Sequence, residues 1–509
     1  MAGPVPALDE RAAACAERLA AADSVLLASH IDADGLTSAA IAATALERTG
    51  LDFEVVFKKQ LDDQEIASIA AREYDTVLFT DFGSGQLDTI SEHEAAGDFT
   101  PVIADHHQPA DAETEFHLNP LLEGIDGASE LSGAGASYVL ARALEAESEG
   151  AATAADGGPA SEASGASSDD ESDGGPAGAT ATTDTDGVDN RDLAGLAVVG
   201  AVGDMQAVGG ELHGANAGIV EEGVAAGVLE EGTDLSLYGK QTRPLPKLLE
   251  YSSEVRIPGV SNDEAGAIAF LDGLGLDLKE DGEWRRWVDL TDDERQTVAS
   301  SLVQRAIKRG VSADKVDGLV ATTYTLTAEP VGTELRDASE FSTLLNATAR
   351  YERADVGLAV CLGDREEGLT RARKLLRNHR RNLSEGLQWV KSEGVTREEH
   401  LQWFDAGEEI RETIVGIVAG MAVGVDGVDP DTPIIAFARK NDEETKVSAR
   451  GTGRLVAKGL DLSVVMGEAS AAVGGGGGGH NVAAGATIPA GEERTFIERA
   501  DEIVGEQLG

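Results

Sequence analysis

The chain has 509 residues, with 41 Lys+Arg against 92 Asp+Glu, a formal net charge of -51 and a pI near 4.3. That length accommodates two or three domains with cores of their own. So dense a carboxylate coat repels itself, and phosphate polymers with it, unless salt screens the charges, so the composition is expected of a protein working in a salt-loaded cytoplasm.

From the N-terminus, MAGPVPALDERAAACAERLAAA lacks the cationic start and long apolar core of a signal peptide, and residues 8–22 read as a helix. Short β-branched runs follow at SVLLAS (24–29), FEVVF (53–57), DTVLFT (75–80) and PVIA (101–104), separated by segments of helical spacing at 36–50 and 61–73. This alternation predicts an α/β fold with a parallel sheet covered by helices on both faces. Residues 146–190 are almost entirely Ala, Gly, Ser, Thr, Asp and Glu, a composition that buries too little apolar surface to order itself, and they read as a disordered insertion. DLAGLAVVGAVGDM (192–205) and GANAGIVEEGVAAGVLEEG (214–232) resume as helices or buried segments. The stretch 233–315 reads as a helical connecting region around an amphipathic helix within 284–310. A second α/β pattern is expected from 316, with strands in GLVATTYTL, DVGLAVCL, PIIAFARK and TKVSARGT, then a helix at 461–472, the run GGGGGGH and a final helix near 491–506. The three regions are thus 1–232, 233–315 and 316–509. IVGIVAGMAVGV (414–425) is too short for a membrane span, and the two cysteines, Cys15 and Cys361, support neither a disulfide framework nor a metal site.

Acids and imidazoles gather where strands end. SHIDADG places His30, Asp32 and Asp34 after the first strand, at alternate positions that converge on one side of the turn. Asp81 ends a second strand, Asp105, His106 and His107 end a third, and Asp204 follows an apolar run in VVGAVGDMQ. In open parallel sheets ligands collect outside the carboxyl ends of the strands, and mixed nitrogen and carboxylate donors suit a hard or borderline divalent ion such as Mn or Mg.

HIDADG, the Asp81 strand end, ADHH and GDMQ, in this order and spacing, resemble the DHH phosphoesterase superfamily and, within it, the archaeal branch of the RecJ-like nucleases. KVSARGT followed by GGGGGGHNVAAGATI resembles the DHH-associated C-terminal domain, whose glycine-histidine segment faces the metal site in that family. The resemblance implies an N-terminal DHH domain and a smaller C-terminal α/β domain joined by a helical region. It further implies two divalent cations, Mn above Mg, one held by His30, Asp32 and Asp81 and the other by Asp34, Asp81, His106 and Asp204. His107 would meet the scissile phosphate, and Asp105 would orient the imidazoles. The implied activity is exonucleolytic hydrolysis of single-stranded DNA or RNA in replication or repair. A phosphodiesterase for short oligonucleotides or cyclic dinucleotides, and a scaffold for the GINS complex and the replicative helicase, are the alternatives.

In the second half, Arg450 is the candidate phosphate contact, since a guanidinium fits phosphate bidentately, with Ser448 adding a neutral hydrogen bond. Gly478 and Gly479 would let the backbone approach a phosphate beside His480. The basic run LTRARKLLRNHRRNL (369–383) could set Arg373, Arg377, Arg380 and Arg381 along a strand of nucleic acid, or pair with neighbouring glutamates.

Overall fold

The computed structural model describes residues 3–156, 189–252, 255–425 and 427–509, which fall into two compact units, Met1–Leu369 and Thr370–Gly509. The first unit opens with α1 (Asp9–Ala20) and then alternates β1 (Ser24–His30), α2 (Ala33–Thr49), β2 (Asp52–Lys58), α3 (Asp63–Ala70), β3 (Thr76–Thr80), α4 (Leu87–Ala96), β4 (Thr100–Ala104), β5 (His117–Leu118) and α5 (Gly133–Asp156). The strands are parallel and lie in the order β2-β1-β3-β4-β5. Such a sheet must be covered on both faces. Leu26, Val77 and Phe79 pack with Ile66, Ile69 and Ile90 of α3 and α4. The alternate set, Val25, Leu27, Leu78 and Val102, is equally buried, on the face taken by α1, α2 and α5. The many Ala, Ser and Thr residues of α2 let α5 and its other neighbours close around it.

The first unit continues with α6 (Ala194–Gly203), α7 (Gly214–Ala225), β6 (Leu229–Leu235), α8 (Leu245–Glu250), α9 (Glu264–Asp272), the small hairpin β7 (Lys279–Glu280) and β8 (Glu283–Trp284), α10 (Asp292–Lys308), α11 (Ala313–Asp317), β9 (Val320–Leu326), α12 (Ala338–Ala349) and α13 (Ala354–Cys361). Several expectations change here. Helix α5 runs on to Asp156, into the segment expected as an insertion at 146–190, and the part at 157–188 lies outside the described residues. The region 233–315 is more than a connection, because Leu248, Leu271, Trp287 and Leu302 form a core of their own. By compactness the chain divides after Leu369. GLVATTYTL does form a strand, β9, yet it pairs antiparallel with β6 inside the first unit. DVGLAVCL is helix α13, not a strand: it packs on α2, and a Cβ on Gly357 would come within 2.6 Å of Leu36. A short apolar run buried on all sides carries no period to tell the two apart.

The second unit comprises most of α14 (Glu367–Glu393), then β10 (Thr396–Arg397), β11 (Gln402–Asp405), α15 (Val415–Ala422), β12 (Ile434–Arg439), β13 (Glu444–Arg450), α16 (Gly453–Val456), α17 (Leu462–Ala472), β14 (Gly476–Gly479), β15 (Ala483–Pro489) and α18 (Glu493–Leu508). Its sheet, in the order β10-β11-β12-β13-β15-β14, is mixed, since only β11 and β12 are parallel. One face packs Phe437, Val447, Met466 and Phe496, the other Phe404, Ile434, Val415 and Val418. PIIAFARK and TKVSARGT are the expected strands. Among the described residues no helix is long and apolar enough to cross a membrane.

Candidate metal centre

Strand order 2-1-3-4-5 reverses direction between β1 and β3, which opens a crevice at their carboxyl ends. Into that crevice β1 delivers His30, the turn and first residues of α2 deliver Asp32 and Asp34, β3 delivers Asp81, and β4 delivers Asp105, His106 and His107. Asp32 doubles as the α2 N-cap, accepting from the Gly35 amide at 3.0 Å. Asp81 holds a left-handed backbone (φ 59°), rare for a residue with a side chain. Asp204 arrives from the C-terminal end of α6.

The six expected donors come together as two adjoining groups. His30, Asp32 and Asp81 form one, and Asp34, His106 and Asp204 the other, with the ligand atoms of each group within 4.8 Å of one another. His30 Nδ1 lies 3.2 Å from Asp32 and 3.4 Å from Asp81. His106 Nε2 lies 3.3 Å from the other oxygen of Asp81 and 3.8 Å from both Asp34 and Asp204. Asp81 therefore belongs to both groups.

Hydrogen bonds outside the cluster aim these donors. His106 Nδ1 is 2.6 Å from the Gly127 carbonyl, which only accepts, so Nδ1 carries a proton and Nε2 is the ring atom turned to the three carboxylates. Asp34 is held by two amides at the start of α5, Gly133 at 2.7 Å and Ala134 at 3.0 Å, where the helix dipole also favours negative charge. Gln206 donates to Asp204 at 2.9 Å and to Gly127 at 3.0 Å, and is itself fixed by Asn216. Two glycines are required by close approach: a Cβ on Gly133 would lie 2.5 Å from Asp81 Oδ1, and one on Gly200 the same distance from Asp34 Oδ1.

Asp105 is fully buried and accepts from the Ser84 amide at 2.9 Å and from His107 Nδ1 at 2.8 Å. The expectation that it orients both imidazoles needs correction: it orients the His107 ring, while Gly127 orients that of His106. Ser84 also meets His117 and Asn119, each at 2.9 Å, and Asn119 returns to the His107 carbonyl. Gly133, Ala134, Gln206, Asn216, Ser84, His117 and Asn119 were not picked out as site residues in the sequence. Only Gln206 carried a signal in the sequence, as the last residue of GDMQ.

The electrostatics call for cations. Burial penalises the charged form of His30, yet Asp32 and Asp81 outweigh it and push the imidazole up to about 11. His106 is likewise raised against its burial, chiefly by Asp81. Asp34 is raised by burial and then by repulsion from Asp81 and Asp204, and Asp204 is raised mainly by burial. Asp81 is lowered, because His106 and His30 overcome its desolvation. Asp105 is brought down to about 2 by His107 in spite of burial, and His107 is raised in return. In the protein alone these imidazoles take up protons to balance the carboxylates. Hard divalent cations suit the same oxygen and nitrogen donors and the same charge, so the residues fit the implied metal.

Residues 24–156 match the DHH family N-terminal domain, 237–320 the DHH-CID domain and 401–506 the DHHA1 domain. The chain belongs to the DHH superfamily. An uncharacterized protein of Methanocaldococcus jannaschii is 28% identical over 487 residues, covering 94% of this DHH chain and 93% of its own length. Among solved structures, RecJ with Mn2+ from Thermus thermophilus superposes with a TM-score of 0.57 at 16% identity, over 99% of this chain and 56% of that one. Exonuclease RecJ bound to manganese gives 0.54 at 16% identity, over 98% and 95%. CDC45 from Entamoeba histolytica gives 0.60 at 10% identity, over 98% and 97%. The DHH fold is thus RecJ-like, shared by an exonuclease and by CDC45.

In the DHHA1 region, Ser448 and Arg450 lie on β13, opposite Gly485 and Ala483 of β15, whose other side carries β14 with Gly478 and Gly479. Gly416 of α15 makes room for both side chains: a Cβ there would come within 2.6 Å of Arg450 and 2.9 Å of Ser448. The glycine run forms an edge strand, and its residues alternate in role, as strand side positions do. A Cβ on Gly475 or Gly477 would strike Thr487 O at 2.4 Å or Met466 O at 2.7 Å, whereas Gly476 and Gly478 face open space. Gly479 takes a positive φ of 137°, and the exposed His480 follows, its amide bonded to the Ala483 carbonyl at 2.9 Å. The basic run of 369–383 lies on α14, where Arg381 is 3.9 Å from Glu385.

Proposed function

We propose that this chain is a two-metal phosphodiesterase, a RecJ-like exonuclease that hydrolyses single-stranded DNA or RNA in replication or repair within a salt-rich cytoplasm. The observation that carries this reading is His106 Nε2 facing Asp34, Asp81 and Asp204, with Asp81 shared by the His30 group. One cation would be held by His30, Asp32 and Asp81, the other by Asp34, Asp81, His106 and Asp204, with Mn or Mg as the ion. Divalent cations bound there supply Lewis acidity toward a phosphodiester. His107, its Nδ1 committed to Asp105, presents Nε2 on a half-exposed ring and would donate to the scissile phosphate. Ser448, Arg450, the open backbone at Gly478, Gly479 and His480 would hold a strand phosphate.

The test is digestion of end-labelled single strands of DNA and RNA with Mn or Mg, with and without a chelator, alongside Asp81→Ala. Metal-dependent shortening by the wild type alone is expected, and full activity in Asp81→Ala would sink the assignment. Comparing a long strand with a dinucleotide separates the exonuclease from a small-substrate phosphodiesterase. The likeness to CDC45 supports a scaffold role as well, which a pull-down with GINS and the replicative helicase tests. Retention of every matched donor favours catalysis alongside it.

A further inference from the structure

Among the lysines and arginines of the first unit, most lie beside a carboxylate, as in Arg48 with Asp192 at 2.6 Å, Arg142 with Glu222 at 3.1 Å and Arg285 with Glu294 at 3.0 Å. In a chain with more than twice as many acids as bases this is the expected state. The C-terminal end of α10 departs from it. Arg305, Lys308 and Arg309 line a concavity of about 360 Å³ with Phe270, Ser301 and Gln304, and no carboxylate lines it. Among the described residues none of the three cations has an ion-pair partner. Arg305 is anchored, its Nη2 donating to the Gly259 carbonyl at 2.9 Å and its guanidinium 5.7 Å from the Phe270 ring centre, while its buried Nε has no hydrogen-bond partner. Lys308 and Arg309 are exposed. Cations in a last helical turn complement the helix dipole, but the dipole does not explain a concavity whose lining has no acid on so acidic a protein.

We infer that this concavity in the DHH-CID region is a second binding site for phosphate groups, and that its occupant is a single nucleic-acid strand extending beyond the metal centre. Residues three and four apart on a helix stand side by side, so Arg305, Lys308 and Arg309 present one continuous cationic row. Ser301 and Gln304 add neutral hydrogen bonds, and the Phe270 ring backs the guanidinium. Direct contacts of this kind persist in salt that screens diffuse attraction. The inference rests on the proposed nucleic-acid substrate.

The experiment uses the full chain without divalent metal, binding a fluorescent single strand across a range of KCl, against Lys308→Glu/Arg309→Glu and Lys308→Gln/Arg309→Gln. Both altered side chains are exposed, and circular dichroism checks the fold. The strand is expected to bind each variant about tenfold more weakly, with a log-affinity against log-salt slope shallower by about 1.4, the value for two lost phosphate contacts on a single strand. Metal-dependent hydrolysis of a dinucleotide is expected to be unchanged. Equal affinity and slope in wild type and variants would overturn the site. So would a loss seen equally with a mononucleotide, which marks a free-nucleotide pocket, or a loss confined to polyglutamate, which marks an acidic protein. Failure of the wild type to bind any strand would instead count against the proposed substrate.

Discussion

The carboxyl edge of the first sheet and the glycine edge of the second are built on opposite plans. At the first, Asp34, Asp81 and Asp105 are buried, and partners outside the cluster hold its side chains: Gly133 for Asp34, Gln206 for Asp204, Gly127 for His106. At the second, Gly476 and Gly478 face open space on an edge strand. A group of like charges has to be held in place by its surroundings, whereas an open edge needs only room and accessible amides. The difference teaches that glycine serves both plans for different reasons, tight contact in one and open approach in the other.

The comparison breaks most visibly at Gly200. Gly200→Val sets new atoms against Ala134, Asp34 and Thr37, where the Cβ alone already comes within 2.5 Å. Displacing a donor by about 1 Å costs on the order of a hundredfold in rate, and valine's added bulk should carry metal-dependent strand hydrolysis further, to about a thousandfold. An unchanged rate would show that the first edge is not rigid.

A pH measurement sharpens the same contrast. Burial first, with Arg11 adding to it, lowers His117 to about 4, so the folded state keeps it neutral while the unfolded chain protonates near pH 6.5. Its contribution is therefore fully present above pH 6.5, lost progressively as the pH falls, and gone below about 4, up to roughly 3 kcal/mol in all. Thermal unfolding of wild type against His117→Asn at constant salt checks this. Parallel pH dependences across that window would contradict it.

On the glycine edge, neighbouring substitutions should diverge. Gly477→Ala meets Ala486 and Met466 at 2.7 Å and is expected to cost about 1–3 kcal/mol of stability. Gly478→Ala meets nothing within 4 Å, so stability should hold while KM for a strand rises several-fold and kcat stays put. Matching effects from the two would refute the alternation. The smallest effect is expected from deleting 157–188 and closing the gap with a short linker: strand hydrolysis should stay within about twofold, since none of the donors named above lies in that stretch.

The parts of this design written in the sequence are those a residue type can announce. Apolar runs ending beside His30, Asp81 and His106 declared both the strands and the cluster, because burial demands apolar side chains and the cluster acids and imidazoles. The amides of Gly133 and Ala134 declared nothing, since every residue but proline has one and only the fold says which of them meets Asp34. Six identical glycines hid their alternation for a similar reason, and the eight residues of DVGLAVCL were too uniformly apolar to reveal α13. His117 was passed over because its partner Ser84 lies 33 positions away.

Helix α5 meets the centre at its first residues, Gly133 and Ala134, and the chain rejoins the fold beside its middle, where Asn190 bonds to Ala141 at 2.7 Å and to Glu145 at 2.9 Å. At about 1.5 Å of rise per residue, the latter point stands roughly 18 Å along the axis from Gly133. The helix thus works as a standoff. Asn190, just before α6 and its Asp204, is thereby set at a fixed distance from the amides that hold Asp34.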